Sequence, residues 1–246
     1  MRRNWNEGSN GMQELADMAA ILGLTLTGRE LDQFAQLEDL LRDWNQRMNL
    51  TAIHEQAEIR RRHFLDALSC VLVTGDLSGQ AVVDIGTGAG FPGLPLKIHF
   101  PQMQLTLVES VHKKTRFLAE VVRQLALDDV IILTERAETV GQDPAHRERY
   151  DWAVARSVAA MPVLAEYLLP LCRIGGRALA QKGAGVADEV ETARSAFSKL
   201  GGGQPNIHPV HLPGREQAHY LVVLLKERHT PNHYPRRPGI PAKRPL

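Results

Sequence analysis

The stretch VVDIGTGAGFPG, residues 82–93, constrains the fold more than any other part of the chain: an apolar run ends at Asp84, and Gly86, Gly88, Gly90 and Gly93 follow at close spacing. Glycines in this pattern let the main chain turn sharply at the end of a strand and let a ligand lie against the backbone, where a side chain would intrude. Pro92 suits the first turn of a helix. The stretch therefore predicts strand, ligand-binding loop and helix, with a nucleotide-like molecule over the loop. Gly88-x-Gly90-x-x-Gly93 matches the dinucleotide fingerprint, but that match alone is weak.

The pattern on either side agrees with an α/β domain. Short apolar runs at AVVDI (81–85), LTLVE (105–109), VIIL (130–133), WAVA (152–155) and RALAQ (177–181) alternate with helical stretches, which predicts a parallel sheet covered on both faces. HYLVVLLK (219–226) follows GGGQPNIHPVHLPG with no room for a crossover helix and reads as an antiparallel hairpin strand. Upstream, residues 1–75 form a helical extension: Leu31, Phe34, Leu37, Leu41, Trp44 and Met48 recur at helical spacing, and Thr27 with Glu30 makes a capping box. The α/β domain proper spans 76–229. Residues 230–246, with five prolines, four Lys/Arg and no acid, are expected to be an extended, poorly packed basic tail.

Composition narrows the function classes. The 246 residues are 43% hydrophobic with a net charge of +1, so a nucleic-acid surface has to be a local patch. No apolar run approaches a membrane span, which points to a cytoplasmic protein without a membrane partner. Cys70 and Cys172 lack any metal-ligand or Cys-x-x-Cys spacing, so they are expected to be buried thiols, and no metal is expected.

Candidate contacts follow from position. Glu109, closing the second strand, is placed to accept hydrogen bonds from the ribose hydroxyls of a nucleotide-like ligand, a placement that does not tell one such cofactor from another. Lys113 and Lys114 fall in the first turn of the next helix, where the dipole disfavours cations by about 0.3–1 kcal/mol; they are either phosphate contacts or solvated charges. The run Arg60, Arg61, Arg62 is either an RNA phosphate clamp or a solubilising helix face. Lys182 lies at the ligand-binding edge of the sheet, His63 reads as a structural histidine, and Asn49 and Thr51 are positioned to border the pocket or to form a turn.

Two details of the loop go further. Asp84-x-Gly86-x-Gly88-x-Gly90 resembles the first motif of S-adenosylmethionine-dependent methyltransferases. In addition WNQRMNLTAI (44–53), RHFLDAL (62–68), DIGTGAGFPGLPLKI (84–98), RAE (136–138), ARSVA (155–159) and QKG (181–183) occur in order. Together they resemble the ribosomal RNA small subunit methyltransferase G family, also called glucose-inhibited division protein B, over about residues 12–226. The resemblance implies an α/β, Rossmann-like S-adenosyl-L-methionine (AdoMet) methyltransferase fold: a seven-stranded, mostly parallel sheet with an N-terminal helical extension. It implies methyl transfer to N7 of a guanine in 16S rRNA, with the rRNA or the small ribosomal subunit as partner. It places the cofactor against Gly86, Gly88, Phe91, Glu109, Ser110, Val111, Ala137, Glu138 and Arg156, with Arg156 positioning the methionine end or the base and no residue required as a general base. Arg60, Arg61, Arg62, Lys113, Lys114, Lys182, Arg236 and Arg237 are the candidate RNA contacts.

Other chemistries fit less well. The fourth strand ends in ARSVAAMP and lacks the Asp/Asn-Pro-Pro-aromatic motif common in amino-methylating enzymes, and neither cysteine follows a proline as a C5-pyrimidine nucleophile commonly does. The rival readings are a small-molecule methyltransferase, an NAD-dependent oxidoreductase and an inactive ribosome-binding module.

Overall fold

Residues Leu31 to Leu41 carry one apolar face, and Thr27 starts their helix as its pattern requires: the Glu30 N–H donates to Thr27 Oγ1 while the Thr27 N–H donates to the Glu30 carboxylate at 2.6 Å. The computed structural model describes residues 5–215 and 219–246, with side chains from residue 10 onward. Its helical N-terminal part comprises α1 (Trp5–Ile21), α2 (Gly28–Asn45), α3 (Gln56–Ile59), a π-helical segment (Arg60–Leu65), α4 (Asp66–Leu68) and α5 (Val71–Thr74). Then follow β1 (Ala81–Ile85), α6 (Gly93–His99), β2 (Gln104–Val108), α7 (His112–Gln124), β3 (Val130–Leu133), α8 (Ala137–Gln142), β4 (Tyr150–Arg156), α9 (Met161–Leu168) and β5 (Cys172–Lys182). The chain ends with α10 (Val186–Thr192), α11 (Arg194–Lys199), β6 (Gly202–Val210), β7 (His219–Lys226) and α12 (Ile240–Lys243).

The strands form one seven-stranded sheet in the order β3-β2-β1-β4-β5-β7-β6. β1 to β5 are parallel, and β7 runs antiparallel to both β5 and β6. Alternation along β1 divides the core: Val82 joins Phe34, Phe64, Leu107 and Phe117 on the face covered by α2, α6 and α7, whereas Val83 and Ile85 join Leu164, Leu168 and Phe197 on the other. Trp44 is partly buried and meets Phe117 edge-on, with ring centroids 5.7 Å apart. Cys70 and Cys172 are free and buried. Among the described residues no helix is long and apolar enough to cross a membrane.

Three local expectations are corrected. The Gly/Pro-rich stretch before β7 is itself a strand, β6; its Pro205 and Pro209 are tolerated because β6 is the edge of the sheet, where a missing N–H breaks no central ladder. Arg60 is not a surface cation. It is 6% exposed and donates from Nε and Nη2 to the Glu38 carboxylate at 2.7 and 3.1 Å, and its guanidinium lies so close to Gly11 that a Cβ there would come within 1.8 Å.

The tail, finally, is docked and not loose. Arg147 donates to the carbonyls of Gly141, Thr230 and Tyr234 at 2.7–2.9 Å, and Pro235 packs on Gly141. Proline explains how so polar a segment packs: it has no N–H to satisfy and little chain entropy to lose on ordering, so satisfying the carbonyls suffices.

Glu38→Ala, which strands the Arg60 charge inside the helical layer, is expected to lower unfolding free energy in urea by about 3–5 kcal/mol, with the double change Glu38→Leu, Arg60→Met recovering most of it. A single-variant cost below about 1 kcal/mol would mean that Arg60 reaches solvent.

Candidate active site

The chain leaves β1 outward to β2 and β3 and returns on the other side as β4, so the crevice at the carboxyl ends of β1 and β4 is the switch point at which α/β sheets bind ligands. Asp84 braces the loop there from beneath. Fully buried, it accepts from Thr87 Oγ1 at 2.6 Å and from the Gly93 N–H at 2.8 Å, both on Oδ2, and so ties the first turn of the loop to the start of α6. Burial pushes its carboxyl up to about 7, against the lowering effect of these hydrogen bonds. Oδ1 has no partner among the described residues. Pro92 caps α6 one residue ahead of its first turn. Gly86 is required twice: its φ is +64°, and a Cβ would lie 2.8 Å from Val158.

Gly86 lines two cavities. The smaller, about 110 Å³, has an apolar wall of Ile85, Val108, Ala137, Val158 and Tyr167 and a polar side with Glu109, Ser110 and Glu138. Glu109 reaches across the mouth of the glycine loop: Oε2 accepts from the Gly88 N–H at 3.1 Å and Oε1 from the Val111 N–H at 2.9 Å. An anionic acceptor at the end of β2, an apolar slot beside it and a main chain free of side chains at Gly86 together fit an adenosine moiety, its ribose hydroxyls toward Glu109. Val111 itself is 45% exposed and lies outside the lining of either cavity.

The larger cavity, about 630 Å³, opens between the loop, the ends of β4 and β5 and the N-terminal helical layer. Arg156 crosses it. One amino group donates to the Arg62 carbonyl at 2.9 Å and to Asp66 Oδ2 at 3.0 Å, the other meets His63 Nδ1 at 3.0 Å, and the guanidinium lies 5.0 Å from the Phe91 ring centre. Arginine only donates, so His63 Nδ1 accepts and its Nε2–H donates to Thr51 Oγ1 at 2.8 Å. Burial, reinforced by the Arg156 charge, pushes His63 down to about 3 and keeps it neutral, stacked on Phe91 at 4.6 Å. Asp66 is engaged on its other oxygen by Arg215 at 2.6 Å, beside His219, whose pKa burial also lowers.

Comparison with known proteins now bears on this geometry. A family model described as rRNA small subunit methyltransferase G matches residues 30–219. The chain is 53% identical over 235 residues to the ribosomal RNA small subunit methyltransferase G of Roseiflexus castenholzii, covering 96% of this chain and all of the relative. It is 43% identical over 232 residues to that of Alkaliphilus metalliredigens, covering 94% and 97%. The chain belongs to the rRNA small subunit methyltransferase G family. Its fold is shared with a predicted O-methyltransferase from Agrobacterium tumefaciens at a TM-score of 0.51 and 17% identity, covering 69% of this chain and 82% of that one.

Of the cofactor residues that membership in the methyltransferase G family suggests, Gly86, Glu109, Ser110, Ala137 and Glu138 converge on the small cavity, and Gly86, Gly88, Phe91 and Arg156 on the large one. The candidate RNA contacts divide. Arg62, Lys114 and Lys182 line the large cavity. Lys182 is tied to Glu189 at 2.6 Å and to the Ala159 carbonyl at 3.0 Å, and Lys114 stands 3.8 Å from Glu109. Arg61 pairs with Glu14 at 2.5 Å and Lys113 is exposed, both outside the lining. Arg60 is buried, Arg236 pairs with the buried Glu166 at 2.6 Å, and Arg237 is exposed on the docked tail. Thr51 lines the cavity and Asn49 does not. Sequence reasoning passed over Asp66, Gln181, Arg215 and His219. Asp66 and Gln181 stand inside the HFLD and QKG segments, whereas Arg215 directly follows the Gly/Pro-rich stretch, which carries no periodic signal, and His219 is the first residue of β7.

Glu109→Gln turns an NH2 toward either the Gly88 or the Val111 N–H, two donors face to face, and removes the charge offered to the ribose. AdoMet affinity measured by calorimetry is expected to fall about tenfold or more; an unchanged dissociation constant would remove Glu109 from the ribose site.

Proposed function

We propose that the protein transfers a methyl group from AdoMet to N7 of a guanine in 16S ribosomal RNA, acting in the cytoplasm on the rRNA or the small ribosomal subunit. One observation carries the choice of acceptor atom: among the described residues lining the large cavity, no proton acceptor is free. Asp66, the carboxylate there, is shared between Arg156 and Arg215, and His63 and His219 are held neutral with their ring nitrogens engaged. Such a pocket suits an acceptor that already presents a lone pair. Guanine N7 does so at neutral pH, whereas an exocyclic amine or a hydroxyl has to lose a proton during transfer.

AdoMet supplies a methyl on a sulfonium: the S–CH3 bond breaks with its electron pair passing to sulfur, the N7–CH3 bond forms, and the positive charge moves to the base. The residues supply orientation. Phe91 and the stacked His63 form a flat wall against which a base can lie, Arg156 is fixed by three partners at its edge, and Arg62 and Lys114 at the mouth are matched to RNA phosphates. Glu109 and the loop hold the adenosine end, so the reacting atoms are aligned by hydrogen bonds and packing, with no general base taking part.

With labelled AdoMet, small-subunit rRNA is expected to accept methyl, whereas rRNA carrying 7-deazaguanine at the target binds and accepts none. At saturating AdoMet, above the range in which Asp84 ionises, the single-turnover rate is expected to be nearly flat between about pH 7.5 and 8.5. Methylation of the deaza substrate would exclude N7, and a rate rising tenfold per pH unit would require a base that this pocket does not offer.

A further inference from the structure

The tail makes its contacts on the far side of the small cavity, and they are made by buried groups. Glu166, on α9, is fully buried, and every hydrogen bond it accepts among the described residues comes from Arg236: Nε and Nη2 at 2.9 and 2.6 Å and the backbone N–H at 2.7 Å. Glu138, on the first turn of α8, is 3% exposed and accepts from the Gly239 N–H at 2.8 Å. Just ahead of the first anchor, Pro235 fills the space over Gly141, where a Cβ would come within 2.8 Å of its ring, and Gln142 donates to the Pro235 carbonyl at 2.7 Å. The tail thus bonds to α8 at one carboxylate and to α9 at another.

Those two helices each contribute a wall of the small cavity. Ala137 and Glu138 come from the start of α8, and Tyr167 comes from α9, one residue from Glu166. Tyr167 and Glu138 line the same cavity, and burial, together with the charge of Glu138, pushes the Tyr167 phenol up to about 12. A buried carboxylate deprived of its cation is strongly unfavourable, so without Arg236 either Glu166 takes up a proton or α9 shifts to let water reach it, and in both cases the tail loses its hold on α9.

We propose that residues 235–239 are a strap that fixes the spacing of the two walls of the adenosine cavity, with Arg236 and Gly239 as positioning residues for AdoMet. The inference rests on the assignment of that cavity to the cofactor. The strap gives the basic tail a role in cofactor affinity, in place of the phosphate contact that its composition suggested.

The test compares the full chain, Arg236→Lys, which keeps the charge but loses the fork that matches Glu166, Arg237→Ala as an exposed control, and a chain ending at residue 229. AdoMet and 5′-methylthioadenosine are titrated calorimetrically, below the melting temperature of each variant. Binding to small-subunit rRNA is measured across salt concentrations. Arg236→Lys is expected to weaken AdoMet and 5′-methylthioadenosine by the same factor, about tenfold, because the strap acts on the adenosine end alone. The truncated chain, where it folds, is expected to lose at least as much, Arg237→Ala nothing, and Arg236→Lys to leave the salt slope of rRNA binding unchanged. Wild-type affinity for both ligands in Arg236→Lys, or a loss confined to rRNA binding, would overturn the strap. Gly86→Val separates the two ideas: if it too binds AdoMet normally, the cofactor assignment of the cavity fails and the strap with it.

Discussion

One carboxylate, that of Asp66, holds the large cavity together. Its two oxygens take Arg156 from the end of β4 and Arg215 from the stretch before β7, while its backbone carbonyl accepts from Ser69 Oγ and from Gln181 at the end of β5. Asp66 itself stands on the N-terminal helical layer, 5% exposed. A charge so buried is tolerable only when its partners are complete, and removing one of them costs far more than the intact pair contributes. The carboxyl ends of β4 and β5, the helical layer and the stretch before β7 therefore meet at a single residue. The orientation of Arg156, and with it the contact that Arg156 makes with His63 Nδ1, depends on that arrangement.

The helical extension consequently belongs to the site as much as the sheet does. The π-helical turn at Arg60–Leu65 widens the backbone just where His63 and Asp66 have to face the cavity while Arg60 stays inside the layer with Glu38. Such turns concentrate at functional positions because they redirect side chains without ending the helix. At the opposite side of the fold the tail carries out a comparable task with Arg236 and Glu166. Both ends of the chain thus place a buried ion pair behind a wall of the crevice, and the glycine loop, braced by Asp84, lies between them.

What was legible in the sequence had a local physical signature. β1, β3 and β7 have the limits that their apolar runs suggested, and the capping box at Thr27 and the ligand loop at Gly86 follow from short-range stereochemistry. What escaped depends on distant partners. Arg60 and Arg62 stand in one run of three arginines, and only the approach of Glu38 from α2 shows which of them is interior. The prolines of β6 argue against a strand until its edge position is known, and the prolines and cations of the tail argue for a loose segment until Arg147, Glu166 and Glu138 are seen to receive it. Asp66 was hidden for the same reason: an aspartate within a helix carries no mark of the two arginines that the fold brings to it.

The dependence of the site on Asp66 is open to a double-mutant cycle on the single-turnover rate of methyl transfer at saturating AdoMet, comparing Asp66→Asn, Arg156→Lys and the two together. If Asp66 acts by holding Arg156 in place, each change lowers the rate about tenfold or more and the double variant is no slower than the worse single one, a coupling of about 1.4 kcal/mol or more. Rate losses that simply multiply would show that the two residues act independently, and that the helical layer and the sheet edge do not share one pocket through this pair.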